Sequence, residues 1–194
     1  MAEVYLGEQQ SLCRSVAVKV LKPRLADDAT YVKRFHREAQ AAASLVHANI
    51  VQIHEVNCID GFHVIVQEYV SGENLKQILD RTTKLDPSIA LLITRQVAVA
   101  LAKAHSQDLV HRDIKPENIL ISTDSMVKVA DFGLARVTKD RRKVELTEVG
   151  MAMGTPLYMS PEQVEGTEVD PRSDIYSLGV TLYHMLAGLS LIHI

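Results

Sequence analysis

The sequence predicts an α+β protein whose sheet and helices are segregated into two lobes. Two observations predict it. The first 70 residues read as strands around a single helix, and after Ser71-Gly72 the apolar residues switch from alternating to helical spacing. Taken in order, residues 15–21 (S-V-A-V-K-V-L) alternate around Lys19 and read as a strand. Residues 28–46 read as a helix, with Val32, Phe35, Ala39, Ala42, Ala43 and Val46 at helical spacing. Residues 50–57 and 62–69 read as two strands joined at Asp60-Gly61, a hairpin signal. Asp86-Pro87 opens a long helix, because an N-cap acceptor is followed by proline at the first helical position. Its apolar face is Ile89, Ile93, Val97, Ala100 and Ala104. Residues 109–130 read as short strands and turns, and residues 137–153, with Lys139, Arg141, Arg142 and Lys143, as an exposed loop. Residues 173–187 form an apolar helix that closes at Gly188 as its C-cap.

At 194 residues the chain makes one large domain or two small lobes and is long enough to bury a real core. Its 47% hydrophobic and 23% charged residues are ordinary for a globular protein, and a net charge of −3 gives no reason to expect a nucleic-acid partner. Cys13 and Cys58 lie far apart and outside any C-x-x-C pair. That speaks against a disulfide framework or a zinc site, suits a reducing compartment, and makes both expected core hydrophobes. No apolar run approaches the roughly 18–20 residues of a membrane span, and no basic-then-apolar leader opens the chain. The expected location is cytoplasmic. No internal repeat or low-complexity linker is visible.

The densest chemical signal is H-R-D-I-K-P-E-N at residues 111–118, followed by D-F-G at residues 131–133. Asp113, Lys115, Asn118 and Asp131 are, in order, the polar groups a phosphoryl-transfer site needs. Such a site uses one carboxylate to orient a hydroxyl, and an amide and a second carboxylate to hold a hard cation. Lys19 in V-A-V-K, read from that segment alone, is either an edge lysine reaching water or a charge that requires a partner. Glu38 in the next helix is a candidate for that partner.

These segments, with F-H-R-E-A, L-V-H-A-N-I-V, G-T-P-L-Y-M-S-P-E and D-I-Y-S-L-G, follow one family's order. The chain resembles a eukaryotic-type serine/threonine protein kinase, most similar to bacterial members, from residue 1 to about residue 188. The resemblance implies a two-lobed kinase-like fold, with an antiparallel sheet plus one helix in residues 1–70 and a mostly helical lobe in residues 71–188. It implies ATP and magnesium as cofactors and protein serine or threonine as acceptor, with self-association for autophosphorylation. Lys19 would contact the α- and β-phosphates, paired with Glu38. Asp113 would take or orient the acceptor's proton, and Lys115 would stabilise transferred charge. Asn118 and Asp131 would hold the metal. Val4, Ala17 and Leu120 would wall the adenine, Glu68 and Val70 would offer backbone hydrogen bonds, and Gln67 would be a polar gatekeeper. Arg112 would answer a phosphate on the loop, with Thr147, and less strongly Thr138, as its sites. These threonines also read simply as exposed loop residues. Thr155 would tie the substrate-docking loop to Asp113 and Lys115. His111 and Phe132 would stack in a spine with Ile53 and Ala42, and Asp174 would cap backbone groups of the 111–118 loop.

The chain also departs from the family pattern. The first strand and first two glycines of the glycine-rich loop are missing, and Ala2 stands where the third glycine would be. Fewer backbone amides would then cover the phosphates, so the 194-residue chain itself is expected to be weak or inactive. Residues 189–194 match none of these motifs and are expected to lie outside the domain, and Glu162 is expected to lack its usual arginine. A scaffold without chemistry and a small-molecule phosphotransferase of the same fold are the rival readings. The intact polar set opposes the first, and Lys115 with the docking segment opposes the second.

Overall fold

A computed structural model describes residues 2–132 and 157–189, except for the side chains of Arg34 and Glu38. Strand β1 (Ala2–Gln9) pairs antiparallel with β2 (Arg14–Leu21), which pairs with β4 (Phe62–Glu68), which pairs with β3 (Ile53–Ile59). The sheet order is therefore β1-β2-β4-β3. The Asp60-Gly61 turn bears out the hairpin signal, with φ of 50° and 82°, because a tight hairpin turn places both central residues in the left-handed region. The short helix α1 (Pro23–Ala26) was not legible in the sequence. Helix α2 (Ala29–Ala43) starts where Asp28 accepts from Thr30 N at 2.7 Å. It ends three residues before Val46, which is therefore left 72% exposed rather than on the helix's buried face.

The second half opens on a three-stranded sheet, β5 (Gly72–Asn74), β6 (Ile119–Ser122) and β7 (Val127–Val129), in that order. Gly72 is dictated by contact, since a Cβ there would lie 2.0 Å from the Ile121 carbonyl oxygen of the paired strand. Helix α3 (Leu75–Thr82) follows a full capping box between Asn74 and Gln77. Helix α4 (Pro87–His105) begins as read, with Asp86 accepting from Ser88 N at 2.8 Å. Ile93, Val97, Ala100 and Ala104 are buried as expected, whereas Ile89 is half exposed in the first turn. Helix α5 (Pro161–Glu165) and helix α6 (Pro171–Ala187) complete the described elements. Asp170 caps α6, four residues before Asp174, and Gly188 ends it at φ 72° as expected.

The main core joins α3, α4, β6, β7 and α6 to Ala42, Leu45 and Ile50 from the first half. A smaller cluster of Leu21, Phe35, Ala39 and Ile65 seats α2 on its sheet, and Ile53 packs against both. Burying each leucine, isoleucine or phenylalanine among them contributes about 1.5–3 kcal/mol before conformational entropy is set against it. Backbone bonds also tie the halves together: Val51 N donates to Val129 O at 2.9 Å, and Val129 N donates to Asn49 O at 2.9 Å. Two expectations need correction. Cys13 and Cys58 are both exposed free thiols, because one follows a surface turn and the other lies on the solvent side of β3. Among the described residues, α4 is long and apolar enough to cross a membrane by length and composition. Here it serves as a core helix, with Ala90, Val97 and Ala104 wholly buried.

Candidate active site

The loop at residues 111–118 crosses from α4 toward β6 and carries its polar groups on irregular backbone. What holds it is Asp174, fully buried on α6. Its carboxylate accepts from His111 N at 2.8 Å and Arg112 N at 2.7 Å, and lies 2.8 Å from His105 Nε2. The expected cap is therefore present. Buried His111 accepts from Asp113 N at Nδ1 (3.2 Å), so its Nε2 carries the proton and donates to Ala130 O at 2.9 Å. Its ring lies 4.5 Å from that of Phe132, edge to face. The His111–Phe132 stack of the expected spine is present, Phe132 and Ala42 belong to the main core with Ile53 packed against it, and His111, buried with both ring nitrogens committed, is structural.

Asp113 then meets its neighbours. Lys115 Nζ lies 2.8 Å from Asp113 Oδ2, and Asn118 Nδ2 donates to Asp113 O at 2.7 Å and to Oδ2 at 2.9 Å. With its amide protons turned to Asp113, Asn118 keeps its oxygen as the remaining polar atom, a hard ligand. Ala130 is clamped from both sides, because its N–H donates to Asn118 O at 2.9 Å and its C=O accepts from His111. This clamp sets the direction of Asp131, which takes φ 61° and reaches across to Lys19 Nζ at 2.8 Å. The loop carboxylate, the amide and the strand lysine thus converge through one chain of contacts. The side chain of Glu38 lies outside the described residues, as do Thr138, Thr147, Thr155 and the 137–153 loop.

Above this set, Val4 pairs in register with Lys19, and Ala17 with Gln67. Val4 is 60% exposed. Leu120, opposite Asn74 and Lys128 in its sheet, is half-buried, as is Val70 just past β4. Glu68 N donates to Gln52 O at 2.8 Å, so this N–H is already committed within the protein. The Glu68 carboxylate pairs with Lys128 at 2.9 Å and so bridges the two sheets, a contact the sequence did not announce. On the other side of Asp113, a cavity of about 240 Å³ is lined by Arg112, Asp113, Lys115, Tyr158, Met159 and Ser177. Burial, with the Glu117 and Asp80 charges, pushes the Tyr158 phenol up to about 12, so it stays neutral in its 2.7 Å bond to His184 Nδ1. Glu162, expected to lack its arginine, accepts from Ser173 Oγ.

Asn118 and Asp131 offer oxygen donors of the kind a divalent cation prefers, and Lys19 offers a positive charge beside them. The arrangement fits a nucleotide triphosphate with its metal.

Comparison with known proteins agrees. The chain is 43% identical over 188 residues to the serine/threonine-protein kinase PrkC of Bacillus subtilis, covering 97% of this chain and 28% of that protein. It is 43% identical over 192 residues to the serine/threonine-protein kinase PknB of Mycobacterium leprae, covering 97% of this chain and 30% of that protein. The kinase domain of Mycobacterium tuberculosis PknI matches in structure with a TM-score of 0.78 at 34% identity, over 98% of this chain and 71% of that one. The expected two-lobed α+β kinase-like architecture is therefore the observed one. A match to the protein kinase domain extends over residues 1–193, and with these relatives it makes the chain a member of the protein kinase domain family.

Proposed function

We propose that the protein containing this chain transfers the γ-phosphoryl group of ATP to serine or threonine hydroxyls of proteins. The observation that carries this is the linked set Lys115–Asp113–Asn118, joined through Ala130 to Asp131 and Lys19. ATP, when bound, would supply the phosphoryl group, and Asn118 and Asp131 would hold a magnesium ion that would neutralise its charge. Lys19 positions the phosphates. Asp113 orients the acceptor hydroxyl and takes its proton, while Lys115 stabilises the charge on the moving group. The cavity beside Asp113 is where the acceptor side chain would enter. Val4, Ala17 and Leu120 enclose the base, Glu68 and Val70 offer backbone groups to it, and Gln67 borders it. No covalent enzyme intermediate is needed, because the chemistry is positioning and charge neutralisation.

From the sequence, Thr147 is the proposed regulatory phosphosite with Arg112 as the answering charge, and Thr155 is proposed to tie the docking loop to Asp113. The kinase domain is proposed to occupy residues 1–188 and to work on the cytoplasmic side, with self-association serving autophosphorylation. Asp113→Asn in the complete gene product is expected to lower phosphate transfer from labelled ATP to a protein acceptor by about 10²–10⁴-fold. ATP binding should be retained. Undiminished transfer in that variant would remove Asp113 from its role.

A further inference from the structure

The peptide unit between Arg112 and Asp113 is held at both ends. Its N–H, on Asp113, donates to His111 Nδ1 at 3.2 Å. Its C=O, on Arg112, accepts from Gln163 Nε2 at 2.6 Å, a bond that spans 51 residues. Arg112 itself sits at φ 66°, a left-handed conformation that costs a non-glycine residue free energy and persists only when its surroundings impose it. Asp174 fixes the N–H of Arg112, and Gln163 fixes the C=O. The other end of the Gln163 amide is also committed. Oε1 accepts from Ser160 N at 3.0 Å, which closes α5 back onto the segment 157–160 that borders the cavity beside Asp113. That segment is in turn pinned to α6, where Ser177 Oγ donates to Tyr158 O at 2.7 Å.

We propose that Gln163 is a positioning residue that orients the Asp113 carboxylate by fixing the 112–113 peptide plane and couples it to the acceptor-binding segment. The proposal rests on the reading of Asp113 as the group that handles the acceptor's proton. A rotation of this peptide plane swings the Asp113 Cα–Cβ bond, and near-attack geometry tolerates little of that. The two bonds of Gln163 separate chemically. Glutamate at this position keeps an acceptor for Ser160 N, at N3 of a Ser-x-x-Glu capping box. It cannot donate to the Arg112 carbonyl, and it places a carboxylate oxygen against it.

The test is Gln163→Glu in the complete gene product, with Gln163→Met as a second variant that removes both bonds at similar volume. Casein serves as the acceptor, with labelled ATP and magnesium. In Gln163→Glu, kcat is expected to fall by about 10- to 100-fold. KM for ATP and the urea midpoint should stay unchanged, and amide exchange across residues 110–118 should quicken. Gln163→Met should lose kcat and some stability together. A stable Gln163→Glu with wild-type kcat and unchanged exchange overturns the proposal. So does a variant whose activity loss merely tracks its unfolded fraction, since Gln163 would then only cap α5. Absence of transfer by the wild-type protein would instead defeat the kinase reading, and the exchange measurement would still decide the positioning claim.

Discussion

Lys19 and Asp113 are placed by opposite means. Lys19 stands in a regular ladder, opposite Val4 on one side and Ile65 on the other, so register alone fixes its position. Its ammonium then finds Asp131 at the end of a flexible stem. Asp113 has no ladder. It follows a residue at φ 66°, and that residue's backbone is held by groups 51 and 62 residues away, Gln163 and Asp174. The strand side carries exposed Val4 and Leu6 on its neighbouring strand, whereas the loop side is organised around buried polar groups such as His111, Asn118 and Asp174.

The sharpest way to break the comparison is at Asp174. Asp174→Ala strands the N–H groups of His111 and Arg112 in a buried site and leaves His105 without its partner. A loss of about 3–5 kcal/mol is expected, read as a lower urea midpoint, together with lost transfer. A fully stable variant would mean that the loop holds its own shape. A smaller effect is expected where the two sheets' territories meet. Gly72→Ala pushes a methyl into the Ile121 carbonyl, and a cost of about 1–3 kcal/mol in thermal or urea unfolding should follow. No change there would show that β5 shifts freely.

The smallest effect concerns how α2 sits on the strand side. His36 Nε2 lies 2.9 Å from His63 Nδ1 on β4. Burial first, and the His63 charge second, hold the His36 pKa below its ordinary value of 6.5. The unfolded chain therefore binds more protons than the folded one at this group. The contact's contribution is complete above the ordinary value and is lost as pH falls through and below it. Amide protection factors in α2, taken relative to the intrinsic exchange rate at each pH, should fall on mild acidification, and His36→Gln should flatten that response. An α2 equally protected at neutral and mildly acid pH would show that the histidine pair carries no weight.

Much of the fold was legible because strands and helices write their periods locally. The V-A-V-K strand, the Asp60-Gly61 hairpin, the Asp86-Pro87 start and the Gly188 stop all stand where the pattern puts them. Several misreadings share one cause, the assumption that an apolar residue near a periodic stretch is buried. Val46 lies beyond the end of α2, Ile89 lies in the open first turn of α4, and Cys13 and Cys58 lie on the surface. Gln163 was half legible. Ser160 and Gln163 spell a capping box, but nothing near them points to Arg112. The Lys128–Glu68 bridge was silent for the same reason.

The sequence by itself determined which chemistry is available, since residue type and spacing fix the charges, the hard oxygen donors and the strand that carries Lys19. Only the tertiary structure decided how Asp113 is aimed. Its direction depends on a left-handed residue and on hydrogen bonds from α5 and α6. Local periodicity holds no information about partners so distant along the chain, because those bonds form only when the core brings the two helices against the loop.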